Sequence, residues 1–165
     1  MKTVEIEIPI GYEIDKEKST FEKIVFKKIK NEWIDLGLPS GNLWKRVNEN
    51  GYFTYNDAVE KFKDNLPTII DFAELVHYCK WKWLKLKGMV VTGSNKNQIF
   101  FPAVGYQHSD SRLLYDGEIG FCWSVSLPLS SSSDAYGFSF SRRYIYPAEI
   151  YIRNNEFSIR CVKHK

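Results

Sequence analysis

The helical period of the apolar pattern ends near residue 80, and that change limits the folds open to the chain. Before it, Ala58, Val59 and Phe62 in "TYNDAVEKFKDN", and Phe72, Leu75, Val76 and Cys79 in "LPTIIDFAELVHYCK", recur at spacings of three and four. Such spacing puts each set on one helical face. Thr54 with Asp57, and Thr68 with Asp71, stand as N-caps, so helices are predicted over 55–64 and 69–79. Beyond residue 80 the helical spacing disappears, and short strands are predicted over 81–84, 89–92, 98–101, 120–125, 135–140, 149–153 and 157–162. "GSNKN" at 93–97 is a turn and "SSSSD" at 130–134 a polar loop. Helices gathered ahead of a meandering sheet give the α+β class.

A chain of 165 residues fits one main domain. "WIDLGLPSGNLWKRVNENG" at 33–51 sets a short apolar strand among the turn residues Gly37, Pro39, Gly41 and Gly51. Ahead of it, "TVEIEI" at 3–8 and "FEKIVFKKI" at 21–29 read as two strands joined by a long turn, a β-hairpin-like appendage too small to be stable alone. The expected division is therefore 1–32 as an attachment segment and 33–165 as the main domain. The N-terminus lacks the apolar core of a secretory signal, and no run of 18 apolar residues occurs. Synthesis in a reducing cytoplasm without a signal peptide, and no membrane insertion, are expected. Three widely spaced cysteines, Cys79, Cys122 and Cys161, are a poor disulfide framework and read as small buried apolar residues. A net charge of +3 is too weak a basic balance for nucleic acid.

Signatures of enzymes are absent: no G-x-S-x-G, no phosphate loop, no G-x-G-x-x-G, no H-E-x-x-H and no C-x-x-C. His108, Ser109 and Asp110 are consecutive, whereas triad members meet from separate segments. His77 and Cys79 fall short of the three or four ligands that zinc needs. No catalytic residue, cofactor or metal ion is expected. "KWKWLKLK" at 80–87 reads first as a strand with one face on the core, and only second as a basic platform for bases.

What calls for explanation is an aromatic content of 16% and its placement. Six of the ten tyrosines follow residue 101: Tyr106, Tyr115, Tyr136, Tyr144, Tyr146 and Tyr151, with Arg112, Arg142, Arg143 and Arg153 among them. Tyr and Arg are the types most enriched at binding hot spots, and Asn adds adaptable hydrogen bonding. Tyr is also a good strand former. By composition "RRYIYPAEIYIRNNEF" at 142–157 reads equally as the outer face of a structural strand and as a gripping surface.

Motif order adds to this. "WIDLGLPSGNLW", "LPTIIDFAELVHYCKWKW", "VTGSNKNQIFFPAVGY", "GFCWSVS", "AYGFSF" and "FSIRCV" follow one another over about 130 residues. Together they resemble the major paralogous domain family named after Fibrobacter succinogenes, found in gut Bacteroidetes and their phages. The resemblance implies a C-type-lectin-like fold and a build shared with variable proteins of diversity-generating retroelements, in which a reverse transcriptase rewrites adenine-rich codons near the 3′ end. It implies a non-enzymatic ligand- or receptor-binding protein whose varied positions lie between the "GFCWS" and "FSIR" strands. Carried over, Arg142, Arg143, Tyr144, Tyr146, Tyr151, Arg153, Asn154 and Asn155 are binding candidates, and His108, Arg112 and Tyr115 border the same face; Trp123, Phe157 and Ile159 are framework. Ile145, Ile150 and Ile152 are expected inward, and Tyr144, Tyr146, Tyr151 and Arg153 outward.

The interval departs from the family pattern at Glu156, Pro147 and Glu149, and carries none of the carboxylate triplets of calcium-dependent lectins. The N-terminal segment resembles one that recurs in Bacteroidetes phage and mobile-element proteins. That implies a place on a virion and a protein or glycan on a bacterial surface as partner, with a homo-oligomer compatible. The alternatives are an assembly module using the same face as a subunit interface, and an enzyme of the formylglycine-generating type.

Overall fold

The structure, a computed structural model, describes residues 12–15, 17–20, 23–28, 32–85, 87–129 and 132–165. They form two units that divide between Glu32 and Trp33. In the first, β1 (Tyr12–Ile14) pairs antiparallel with β2 (Phe26–Lys28). The Asp15 carboxylate accepts from the N–H groups of Glu17 and Lys18 and so turns the chain after β1. The strand expected over 3–8 lies outside the described residues.

The second unit is α+β: two short helices and three sheets. Helix α1 (Tyr55–Phe62) runs on into a 3₁₀ turn, Lys63–Asn65, and α2 spans Ile69–Tyr78. Both start at the expected caps: the Thr54 hydroxyl accepts from the Asp57 N–H, and Thr68 and Asp71 cap one another's backbone reciprocally. A cap of this kind contributes about 1 kcal/mol. The Asp71 carboxylate also accepts from Asn42 Nδ2 at 2.9 Å and meets His164 Nε2 at 3.1 Å. Burial alone would push its carboxyl up; the hydrogen bonds from Thr68 and His164 outweigh burial and hold it below the usual range.

One sheet joins β3 (Trp33–Asp35), β4 (Leu43–Lys45) and the final strand β13 (Val162–Lys163), with β4 central. A second is the meander β5 (Lys80–Leu84), β6 (Gly88–Thr92) and β7 (Gln98–Pro102). The largest holds β8 (Val104–Gln107), β9 (Leu113–Asp116), β10 (Ile119–Trp123), β11 (Asp134–Ser141) and β12 (Ile145–Ile152). Its order is β12-β11-β10-β8-β9, antiparallel except where β8 meets β10 at Gly105 and Gly120.

Several of these departures from expectation have a local cause. The stretch 33–51 holds two strands rather than one, which its turn residues separate. β8 and β9 were not expected, because the polar turn at 107–112 interrupts any alternation; there Gly105, at φ +64, brings β8 so near β9 that a Cβ would lie 2.0 Å from the Leu114 carbonyl oxygen. The strand expected over 157–162 shrinks to Val162–Lys163, with Phe157 and Ser158 joined by single bridges to Phe53 and Cys122. This segment runs through the interior instead of along an edge, since every residue from Phe157 to Val162 is buried. Arg160 fastens it: the fully buried guanidinium donates to Asn48 Oδ1 and to the carbonyls of Lys45, Arg46 and Phe100, and lies 4.2 Å from the Phe101 ring centroid. Burial lowers its pKa to about 10, leaving it charged at neutral pH.

The five-stranded sheet separates two apolar clusters. Phe138 and Phe140 on one face pack with Phe72 and Leu75 of α2 and with Phe101, and Phe72 stacks on Phe138 at 4.6 Å. Trp81 and Trp83 of "KWKWLKLK" lean on this cluster, while Lys80 and Lys82 are exposed, the pattern of a core strand. Phe121 and Trp123 on the other face pack with Phe157, Tyr55 and Ala58, and Trp123 stacks on Phe157 at 4.1 Å. The three cysteines are free and buried; burial pushes Cys79 up to about 11 and Cys122 and Cys161 to about 12. Among the described residues no helix is long and apolar enough to cross a membrane.

Candidate ligand-binding face

β12 is an edge strand, and its pairing with β11 decides which side chains share a surface. The register runs Ala135↔Tyr151, Tyr136↔Ile150 and Gly137↔Glu149, then resumes at Ser139↔Tyr146. Pro147 and Ala148 thus oppose the single residue Phe138. This is a β-bulge at a sheet edge, where proline's missing N–H is tolerated. Strict alternation would put Tyr146 and Glu149 on opposite faces; the extra residue puts them on one face, with Tyr151, Ser139 and Phe121.

Ile145, Ile150 and Ile152 share the other face, but their expected burial holds only for Ile145, which packs on the cluster beneath α2. Ile150 and Ile152 are 52% and 60% exposed, because that cluster stops short of them. Tyr151, expected outward, turns inward. Its ring meets Phe121 and Phe157 edge-on at 5.7 and 5.0 Å and closes the second cluster over Gly137, where an added Cβ would lie 3.0 Å from it. Arg153 is not free in solvent either: its Nε donates to the Asp134 carbonyl at 2.9 Å and its guanidinium lies 5.0 Å from the Tyr55 ring centroid.

What remains open on this face is aromatic and hydroxylated. Tyr144 and Tyr146 stack at 4.7 Å and 21°, and Tyr106 and Tyr115 stack at 6.2 Å. Tyr146 and Tyr115 are 47% and 51% exposed. The Tyr144 phenol is pushed up by partial burial first and then by Glu149, Tyr146 and Tyr115, against a hydrogen bond with Ser141. Tyr106 meets the Phe121 ring at 5.1 Å, and Tyr146 registers with Ser139, the partner of Phe121, so both stacked pairs lie on one side of the sheet. Beneath them Glu149 Oε2 accepts from the Ser139 hydroxyl at 2.5 Å and from the Tyr151 hydroxyl. Burial, followed by this bond to Glu149, raises the Tyr151 phenol strongly.

The candidates read from the sequence fall into two groups at opposite ends of β12, which spans roughly 23 Å. At one end Tyr115, at the turn into Ile119, stands on the same end of the sheet as Tyr144 and Tyr146, since Ile119 pairs with Ser141 and Ser141 with Tyr144; Arg142 and Arg143 are exposed in the turn between β11 and β12. Asn154 and Asn155 lie in the turn beyond Ile152 at the other, where Glu156 bridges to Gln107. His108 and Arg112 belong to the adjoining turn and are occupied with Asp110: Arg112 Nη2 at 2.7 Å, His108 Nδ1 at 3.2 Å. Against desolvation, the Arg112 and His108 contacts hold the Asp110 carboxyl below its usual range. Trp123, Phe157 and Ile159 are fully buried.

Glu149 and Ser139 were not singled out by the sequence, although Pro147 two residues earlier was a signal for a bulge. Among the described residues no group of three or more His, Cys, Asp or Glu is placed to hold a metal ion. Comparison with family models, curated proteins and solved structures returned no match.

Proposed function

We propose that the chain is a non-enzymatic ligand- or receptor-binding protein with a C-type-lectin-like domain, phage- or mobile-element-encoded, that grips a protein or glycan on a bacterial surface. The observation that carries this reading is the open tyrosine surface of Tyr115, Tyr144 and Tyr146, borne on a sheet whose opposite face is closed by α2. Large rings with few rotatable bonds provide contact area at little entropic cost, and a rigid scaffold tolerates change in what it displays. Retroelement diversification of 142–155 fits the contrast between that interval and the buried framework on either side of it. An enzyme of the formylglycine-generating type is disfavoured, because the thiols are covered and stay protonated at neutral pH.

The test is binding of the labelled protein to a glycan array and to a panel of bacterial cells. Tyr144→Ala combined with Tyr146→Ala removes binding and moves Tm by less than about 3 °C; a double variant that binds like the parent overturns the reading. A second reading, an assembly interface, draws on exposed Ile150 and Ile152 of the edge strand. Under it, light scattering finds an oligomer that Ile150→Lys dissociates.

A further inference from the structure

We infer that Glu149 and the tyrosines around it form a subsite for a cationic group of the ligand, an ammonium or a guanidinium. This deepens, and rests on, the binding role proposed for the face.

The carboxylate is half-buried, and both of its hydrogen bonds with the described residues, from Ser139 and Tyr151, fall on one oxygen, Oε2. Oε1 takes no partner among the described residues, yet it is not among their sealed polar atoms, of which Trp44 Nε1 alone lacks a partner. The described residues therefore do not seal it from solvent. The ion pairs of the described residues employ Glu49, Asp71 and Asp110, and none reaches Glu149. Arg153, three residues on from Ile150, is turned to Asp134 and Tyr55. Hydroxyl donors stabilise a carboxylate without neutralising it, so a net negative charge is kept at the base of the face.

The rings around it act in the same sense. Aromatic faces carry the negative part of the quadrupole and attract cations, the more so where water is partly excluded. Tyr144 and Tyr146 are stacked on one another, leaving an outer ring surface, and Tyr151 is tied to the carboxylate by its hydroxyl. A carboxylate beside phenol rings selects a basic group over a neutral hydroxylated one, which needs no charge, and rejects an anion. Arg142 and Arg143 stand in the exposed turn, where water and salt screen them.

The experiment follows the ring signals of the tyrosines by NMR in the full chain while single probes are added. The probes are Nα-acetyl-lysine methylamide, Nα-acetyl-arginine methylamide, tetramethylammonium, glucosamine and methyl glucoside. Saturable shifts of Tyr144, Tyr146 and Tyr151 with the basic probes, none with methyl glucoside, and a loss of about ten-fold or more in affinity in Glu149→Gln are expected. Among the basic probes, preference for the amino-acid derivatives points to a protein partner, and preference for glucosamine or tetramethylammonium to an amino sugar or a quaternary ammonium. Tyr146→Leu, at an exposed position that the fold does not depend on, weakens the same probes if Glu149→Gln proves unstable. Shifts with methyl glucoside alone, or undiminished affinity for the basic probes in both variants, overturn the inference. If Tyr144→Ala with Tyr146→Ala abolishes cell or glycan binding while Glu149→Gln leaves it intact, the face stands and the cationic subsite falls.

Discussion

The two faces of the five-stranded sheet are built from similar residues and end differently. On one, Phe138 and Phe140 are covered by α2 and by Phe101, and the aromatic contacts there are among rings that carry no hydroxyl, the phenylalanines with Trp44 and Trp81. On the other, Trp123 and Phe157 begin a core that passes outward through Phe121 and Tyr151 to Tyr106 and Tyr115, and the stacked pair Tyr144 and Tyr146 stands on the same side of the sheet. Hydroxyls make the difference: a ring with a polar end can border water where a phenyl ring must be covered. One face therefore fixes the fold, and the other can display.

That contrast is open to breakage. Phe138→Ala opens a cavity between α2 and the sheet and costs about 3–5 kcal/mol in chemical denaturation; a loss below about 1 kcal/mol would show that the covered face is not what holds the fold. Asp71→Asn, at the start of the covering helix, costs about 1–2 kcal/mol at neutral pH. Because the folded carboxyl titrates below its ordinary 3.8, its contribution is whole above that pH and is lost as pH falls through the folded value. The parent should therefore lose stability on acidification more steeply than the variant.

On the other face Tyr151→Phe costs about 1 kcal/mol near neutrality. Its phenol titrates above the ordinary 10.0 when folded, so its stabilisation is whole below about pH 10 and is lost as pH rises beyond, toward the folded value. Denaturation midpoints at increasing alkaline pH should fall less in the variant, and an identical fall would detach Tyr151 from Glu149. The smallest effect is expected at Tyr146→Ala, within about 0.5 kcal/mol, since that ring is half exposed. A larger loss would make the display surface part of the core.

Much of the framework is legible in the chain because it depends on local rules. The caps at Thr54 and Thr68, the helical stripe Phe72-Leu75-Val76 and the strand alternation of "KWKWLKLK" each state their own structure within a few residues. β8 and β9 were hidden because the polar turn at 107–112 interrupts any alternation, and the close approach of the two strands at Gly105 leaves no apolar pattern to read. The final segment was misread because burial on all sides looks, in one dimension, like a continuous buried strand.

For the face itself, the residues singled out by composition and resemblance include Tyr115, Tyr144 and Tyr146, but not the group beneath them. Glu149 looked like a departure from the pattern and proves to be where Ser139 and Tyr151 converge.

By itself the sequence determined the α+β order, the helix starts and the concentration of tyrosine near the end of the chain. The side of β12 that each residue occupies was decided only in the tertiary structure. Alternation specifies that neighbours point apart, but a bulge changes the count, and its position is set by the partner strand. With Phe138 claimed by the core under α2, the extra residue falls at Pro147 and Ala148, and Tyr146, Glu149 and Tyr151 arrive on one surface.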